Sequence, residues 1–299
     1  MNYKNIIKNK KLRLYLLSLM QIVPDQLMIK LQYRIKTGRK LNLISPKRFT
    51  EKVQWYKLFY RNPLIPICSD KYAVRKYISE KGYSHLLNEL YAVYNNVDEI
   101  DLEKLPKSFI IKHTNGSGKN IIVHDKELVD LSHIHAEISK WLTTKNVNYG
   151  REWGYDNVQS RIIVEALLPR DENNDLPDYK FFCFNGRAEF LYTMIDYVDD
   201  HNLGKCSFFT RDFKRLPYSR SEYMPIEENI EKPKNFEDML LISEQLSKEF
   251  PHVRVDFYNI DGRIVFGELT FYNASGYTVF NPDDFDYILG DKFILPDNS

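Results

Sequence analysis

Two acids sit inside strongly apolar runs near the C-terminal end of the sequence, Asp256 in "RVDFY" and Glu268 in "FGELTF". An unpaired carboxylate is costly to bury, so each needs something positive beside it. The "NIDGR" between them reads as a tight hairpin turn, which sets the two acids on neighbouring antiparallel strands, on one face. Like charges that close repel unless a cation lies between them. Mg2+ suits such a pair, because it takes a few carboxylates together with phosphate oxygens and water. Pairing of either acid with Arg254 or Arg263 is the alternative.

A second stretch, "SFIIKHTNGSGKN", points to phosphate. Lys112 closes an apolar strand, the turn Gly116, Ser117, Gly118 follows, and a new strand starts near Ile121. It is not a Walker A loop, which needs glycine at His113 and Ser or Thr at Asn120. It is not a dinucleotide fingerprint either, since Ile121 replaces the third glycine. A glycine turn between strands can still fold over phosphates, offering backbone N–H groups and one ammonium; a plain tight hairpin is the alternative. Two other stretches fit a nucleotide. "RIIVEALL" carries a lone acid, Glu165, before Ala166, Leu167 and Leu168, against which an adenine would lie. "DYKFFCF" sets Asp178 and Lys180 on one side of a strand, for ribose hydroxyls and phosphate.

The elements that must hold these residues divide along the chain. Residues 1–68 read as a helical segment, with Ser45 capping a helix that starts at Pro46. Phe49, Val53, Tyr56 and Tyr60 share one face of it. In "CSDKYAVRKYISEKG", Ser69 and Gly82 read as the N- and C-caps of a further helix. Beyond it come β-branched and aromatic runs broken by the hairpin signals "FNGRAE" and "NIDGR", with helices at "LVDLSHIHAEISKWL" and "FEDMLLISEQLSKEF". The expected class is α+β, with helices on largely antiparallel sheets.

Composition narrows the partners. Hydrophobic content of 43% with 28% charged residues describes a folded globular chain, and a net charge of +1 gives no electrostatic case for nucleic acid. Three scattered cysteines, Cys68, Cys183 and Cys206, form neither a disulfide framework nor a zinc pattern, as in a reducing cytoplasm. The N-terminal "NYKNIIKNKKLRLYLLSLMQIV" is basic then apolar, but Arg13 interrupts it and no cleavage site follows, so export is not expected. The run is too short to span a bilayer. A helix packed on the protein body is the first reading, and one resting on the inner membrane surface the second.

In order, Lys71, Lys112, the glycine turn, Glu165, Asp178, Lys180, Asp256 and Glu268 resemble the ATP-grasp superfamily. From about Leu41 to Pro296, and in "LNLISPKRFTEKVQWYKLFYRNPLIPICSDKYAVRKYI" above all, the chain is most similar to the TupA-like ATP-grasp family of bacterial surface-polysaccharide clusters. The resemblance implies two α+β lobes enclosing ATP: a small lobe over 69–166 and a large lobe with the metal and substrate site over 167–299. It implies ATP and Mg2+ as cofactors and a carboxylate–amine ligation through an acylphosphate. An amino acid or amino sugar would be joined to a uronic acid or other acidic group. Lys71, Lys112 and Lys180 would offset phosphate charge, and Arg254 would steady the transferring phosphoryl. Asp256 and Glu268 would hold the metal. Where many ATP-grasp enzymes have Glu-x-Asn, this chain has Glu268-Leu269-Thr270, so Asn273 is the candidate third ligand. Arg151, Ser275 and Gly276 would touch substrate. A polysaccharide-cluster glycosyltransferase, an ATP-grasp kinase or phosphotransferase, and a non-catalytic nucleotide binder are the rivals.

Overall fold

The computed structural model describes residues 9, 20–116, 118–144, 148–156, 158–172, 174–197 and 203–297. In chain order these form α1 (Asp25–Thr37), α2 (Phe49–Phe59), α3 (Leu64–Ser69), α4 (Val74–Glu80), β1 (Leu90–Tyr94), β2 (Phe109–His113), β3 (Asn120–Val123), α5 (Leu131–Thr143), β4 (Ile162–Glu165), β5 (Asp178–Phe184), β6 (Arg187–Ile195), β7 (Lys205–Thr210), β8 (Ser219–Arg220), α6 (Phe236–Ser247), β9 (His252–Ile260), β10 (Arg263–Thr270), β11 (Phe280–Asn281) and α7 (Phe285–Lys292). A four-stranded sheet runs β1-β4-β2-β3 and a five-stranded sheet runs β10-β9-β5-β6-β7, with every pairing antiparallel. The class is the α+β arrangement of the sequence reading. β8 and β11 pair separately.

Local chemistry explains the turns. Asn185 and Gly186 (φ 49° and 76°) join β5 to β6, and Asp261 and Gly262 (φ 52° and 91°) join β9 to β10. Both turns need two consecutive left-handed residues, which Asn-Gly and Asp-Gly supply at small cost. The helix expected from Pro46 begins instead at Phe49. Its first turn is held from afar, where Asp286 of α7 accepts the Thr50 N–H at 2.9 Å and the Thr50 hydroxyl at 2.8 Å. Glu51 then accepts the N–H groups of Lys47 and Arg48. Before α4 the capping acceptor is Asp70, which takes the N–H groups of Tyr72 and Ala73, rather than Ser69.

Two apolar clusters form. The small one lies under the four-stranded sheet, with Phe109, Ile111, Ile162 and Val164 against Ile134 and Ile138 of α5. The large one fills the space around the five-stranded sheet. It also takes in Ile65, Cys68, Val74, Tyr77 and Ile78, so α3 and α4 pack with the larger sheet although they precede the smaller one. α7 meets the chain leading into α2 at Gly290, where an added Cβ would strike the Lys47 carbonyl oxygen and lie 2.8 Å from the Phe49 nitrogen. Overpacking of that kind costs ~1–3 kcal/mol. Gly290→Ala is therefore expected to lower the thermal midpoint by several degrees in a calorimetric melt, and an unchanged midpoint would refute this close approach.

Candidate functional site

The site grows from strand register. Lys180 on β5 stands opposite Asp256 on β9, and Asp256 stands opposite Glu268 on β10. Alternation along each strand then brings Asp178, Lys180, Arg254, Asp256, Glu268 and Thr270 to one face. A bulge between Phe266 and Glu268 helps set this register, and Gly267 occupies it because a Cβ there would lie 3.0 Å from the Asp256 carbonyl oxygen. On that face the charges interlock. Lys180 donates to Asp178 and, at 2.8 Å, to Asp256. Arg254 grips both Asp256 oxygens at 2.7 and 2.6 Å and reaches Glu268 Oε1 at 3.1 Å. The Thr270 hydroxyl accepts from Arg254 and donates to Glu268. Of the two explanations left open by the sequence, pairing with Arg254 is present, and Arg263 takes no part, standing exposed at the start of β10.

Electrostatics follow from this packing. Burial raises the Glu268 carboxyl, but Arg254, Lys180 and Lys71 outweigh it and bring the pKa to about 2. Burial dominates at Asp178 and pushes its carboxyl up despite Lys180. Asp178 Oδ1 is buried without a protein partner, and the Glu268 side chain keeps 45% of its surface exposed. Glu268, ionised and open to the cavity, with the orphaned Asp178 acceptor nearby, offers oxygen donors of the kind that Mg2+ takes alongside phosphate oxygens. Among the described residues, no cluster of three or more His, Cys, Asp or Glu side chains is arranged to hold a metal by itself. The residues thus fit a cation that arrives with phosphate.

The charged face lines a cavity of about 240 Å³ between the two sheets, whose other wall carries Lys71, Lys112, Gly118 and Glu165. A neighbouring cavity of about 820 Å³ continues from it, sharing Asn88, Lys112, Asn120, Tyr197 and Tyr258. Ala166, Leu167 and Leu168 form its hinge side, with Ile110 and Ile122 opposite. One end is therefore densely charged, and the other sets aliphatic side chains among Ser108, His124, Arg170 and Asn174.

A family model for TupA-like ATP-grasp proteins matches residues 51–294. The chain belongs to the TupA-like ATP-grasp family. Its fold is accordingly the ATP-grasp fold. Similar solved structures include a D-alanine–D-alanine ligase from Bacillus anthracis (17% identity, TM-score 0.43, 69% of this chain and 57% of that one). The Helicobacter pylori D-alanine–D-alanine ligase gives 15%, 0.41, 77% and 62%. An L-amino acid ligase from Bacillus licheniformis gives 11%, 0.42, 72% and 46%. This chain thus spans less than two thirds of each of these chains. No curated protein matches.

Within this TupA-like ATP-grasp chain the expected site residues fall into two groups. Lys71, Lys112, Gly118, Glu165, Asp178, Lys180, Asp256 and Glu268 line the smaller cavity. Gly116 adjoins it and accepts the Lys71 ammonium at 2.5 Å, whereas Ser117 lies outside the described residues. Five of the expected residues take partners that the sequence reading did not name. Glu165 is clamped between Lys112 (2.7 Å) and Arg75 (2.9 Å) and lines the smaller, charged cavity rather than the hinge cavity. Asn273 Oδ1 accepts from Arg254, the same guanidinium on which Asp256 and Glu268 converge. Arg151 pairs with Asp25 at 2.7 Å and donates to the Met20 carbonyl, away from both cavities. Ser275 and Gly276 line neither cavity, and their carbonyls are held by α2.

That last contact exposes residues the sequence reading missed. Ala274, Ser275 and Gly276 are three consecutive left-handed residues (φ 46°, 55° and 70°), a strained run that something must hold. Gln54 donates to the carbonyls of Ser275 and Gly276 at 3.0 and 2.8 Å. Lys57 donates to the carbonyls of Gly150 and Ser275 at 3.0 and 2.9 Å and lies 4.7 Å over the Tyr277 ring. Its signal was legible, because Lys57 continues the Phe49–Val53 spacing on the buried face. Arg75 and Asn88 were missed too. Arg75 also donates to the Asn88 carbonyl, and Asn88 Nδ2 donates to Ala166 O, tying the hinge to β1's lead-in.

Lys57 is only 1% exposed, and burial, with a smaller opposing push from Glu152, lowers its pKa to about 7. The unfolded chain then binds more protons than the folded one between pH 7 and the ordinary lysine range, so stability rises with pH across that window. Lys57→Met removes this contribution. Wild type is expected to gain on Lys57→Met by up to about 1.4 kcal/mol per pH unit above pH 7, read by denaturant melts at several pH values. Parallel pH profiles for the two proteins would refute it.

Proposed function

We propose that this chain is an ATP-dependent carboxylate–amine ligase acting through an acylphosphate. The acid would be a uronic acid or similar acidic group of a bacterial surface polysaccharide (of capsule, O-antigen or teichuronopeptide type), and the amine an amino acid or amino sugar. The observation that carries the reading is one continuous cavity with a hinge end bearing aliphatic side chains and a charged end, where carboxylates and cations alternate on a single sheet face.

Within this reading the base lies against Leu167 and Leu168. The Ala166 backbone is already spent, its N–H on Glu89 O and its carbonyl on Asn88, so backbone recognition falls to the two leucines. The phosphates lie over Lys112 and Lys71, whose present partners, Glu165 and Gly116 O, they displace or share. Asp256 and Glu268 would hold Mg2+, which would supply positive charge to offset the phosphates and screen the incoming carboxylate. Arg254, kept charged between Asp256 and Glu268, faces the phosphoryl in transfer and stabilises charge that develops there. Gly118 lines the phosphate end, and Gly116 accepts from Lys71 beside it. The division into a helical segment (1–68), a small lobe (69–166) and a large lobe (167–299) belongs to the same proposal. So does a cytoplasmic place with peripheral contact at the inner membrane through the basic N-terminal stretch, most of which lies outside the described residues.

The test incubates the protein with ATP, Mg2+ and panels of uronic acids, amino acids and amino sugars, following ADP and the mass of any amide. ADP is expected in step with amide, and Asp256→Asn or Glu268→Gln to lower turnover ~100-fold or more. Unchanged variants would sink the metal assignment, and a stable phosphorylated product without amide would sink ligation. Absence of ATP binding would sink the reading as a whole.

A further inference from the structure

Among the described residues, none covers the outward face of α1. Met28, Ile29, Gln32 and Tyr33 are buried, while Leu27, Leu31 and Ile35, at steps of four, are 59%, 46% and 41% exposed. That spacing lays three aliphatic side chains in one stripe along the helix. Lys30 and Arg34 flank the stripe and are exposed as well. Exposed single leucines are ordinary, but an aliphatic stripe edged by cations is the pattern of a helix lying in a membrane interface.

Charge is distributed to match. Residues 1–48 hold twelve Lys and Arg against one acid, Asp25, whereas residues 49–299 hold 30 against 40. The single acid is paired with Arg151. Arg39 and Arg48 pair with Asp283, just before α7, and with Asp286 in α7, and Lys36 is turned inward over the Tyr277 ring. Lys30, Arg34, Lys40 and Lys47 remain exposed on this end, with Lys4, Lys8, Lys10, Lys11 and Arg13 preceding them in sequence. A chain of net charge +1 therefore carries a strongly cationic pole beside an aliphatic stripe. No described helix is long and apolar enough to cross a membrane, so the stripe fits lying on a bilayer.

We propose that the outward face of α1, through Leu27, Leu31 and Ile35 with Lys30 and Arg34, docks on an anionic lipid surface. The aliphatic side chains enter the headgroup–acyl boundary, and the cations meet lipid phosphates. The opposite face of the helix receives Tyr277, whose hydroxyl donates to Gln32 at 2.6 Å. A bilayer on α1 thus lies about one helix diameter, ~10 Å, from the strained turn that precedes Tyr277. Lipid binding needs no nucleotide, so this inference stands apart from the ligase reading.

The experiment sediments the full-length protein with vesicles of phosphatidylglycerol and phosphatidylcholine, and with phosphatidylcholine alone, at about 50 and about 300 mM salt. Binding is expected to the mixed vesicles only, weakening at the higher salt. Lys30→Glu/Arg34→Glu is expected to lower affinity tenfold or more, and Leu27→Gln/Leu31→Gln/Ile35→Gln at least as much. Circular dichroism melts at the wild-type midpoint establish that both variants are folded, as substitution at exposed positions allows. The proposal is overturned if wild type stays in the supernatant, if it binds neutral vesicles equally well, or if both variants bind like wild type. It is also overturned if light scattering shows the leucine variant converting a dimer to a monomer with vesicle binding intact, since the face would then belong to a second copy of the chain.

Discussion

The register of β5, β9 and β10 is the constraint on which the site depends. With a side-chain period of two, a one-residue slip of β9 would carry Arg254 and Asp256 through the sheet and bring Val255 and Phe257 out. Those two are fully buried, and Phe257 packs edge-on to Phe181, so the slip would bury charge and expose core together. The Asp261-Gly262 turn fixes β9 against β10, and the Gly267 bulge shifts β10 until Glu268 faces Asp256. β5 shares no short turn with β9. Its register is held by the core face and by Lys180, which bonds acids on its own strand and on the next.

This arrangement makes the cluster both costly and hard to remove. Taking charges out of water is expensive, and mutual attraction repays it only where geometry and hydrogen bonds are good. Here Arg254 supplies bonds to Asp256, Glu268, Thr270, Asn273 and Tyr192, which leaves little of its guanidinium unmet. Loss of one partner would strand the others, at a cost on the order of 3–5 kcal/mol. The same self-pairing gives each of these cations a partner at rest. Lys112 rests on Glu165, Lys71 on a carbonyl, and Lys180 on two carboxylates, so an anionic ligand has to compete for cations that are already placed.

Much of this was legible in the sequence because the governing forces are local. Strand alternation, the two hairpin dipeptides and the burial cost of Asp256 and Glu268 identified the sheets and the charged face. The glycine turn after Lys112 was recognisable once the Walker and dinucleotide patterns had failed. What escaped was decided between distant segments. Arg75 is ninety residues from Glu165, and no local pattern says that it, with Lys112, claims that carboxylate. Arg151 reads as a site residue only until α1 is in place and offers Asp25. The start of α2 was misjudged because its cap comes from Asp286, two hundred residues on, which overrides the signal of Ser45 and Pro46.

The N-terminal helices therefore act as part of the body that holds the site rather than an appendage. The turn at 273–276 contains three left-handed residues, two of them non-glycine, which cost of order 1–3 kcal/mol each. It persists because Gln54 and Lys57 bond its carbonyls and Tyr277 packs among Ile29, Tyr33 and Leu41. From the other side, Asn273 accepts from Arg254, so α2, the strained turn and the carboxylate cluster form one chain of contacts. A lysine with no carboxylate in its grip is a poor choice for stability alone, since its burial pulls the pKa down to about 7. Its retention at that point is explained by the backbone it holds: two carbonyls from segments more than a hundred residues apart, Gly150 and Ser275, meet on one ammonium. Few neutral side chains of that length could donate to both.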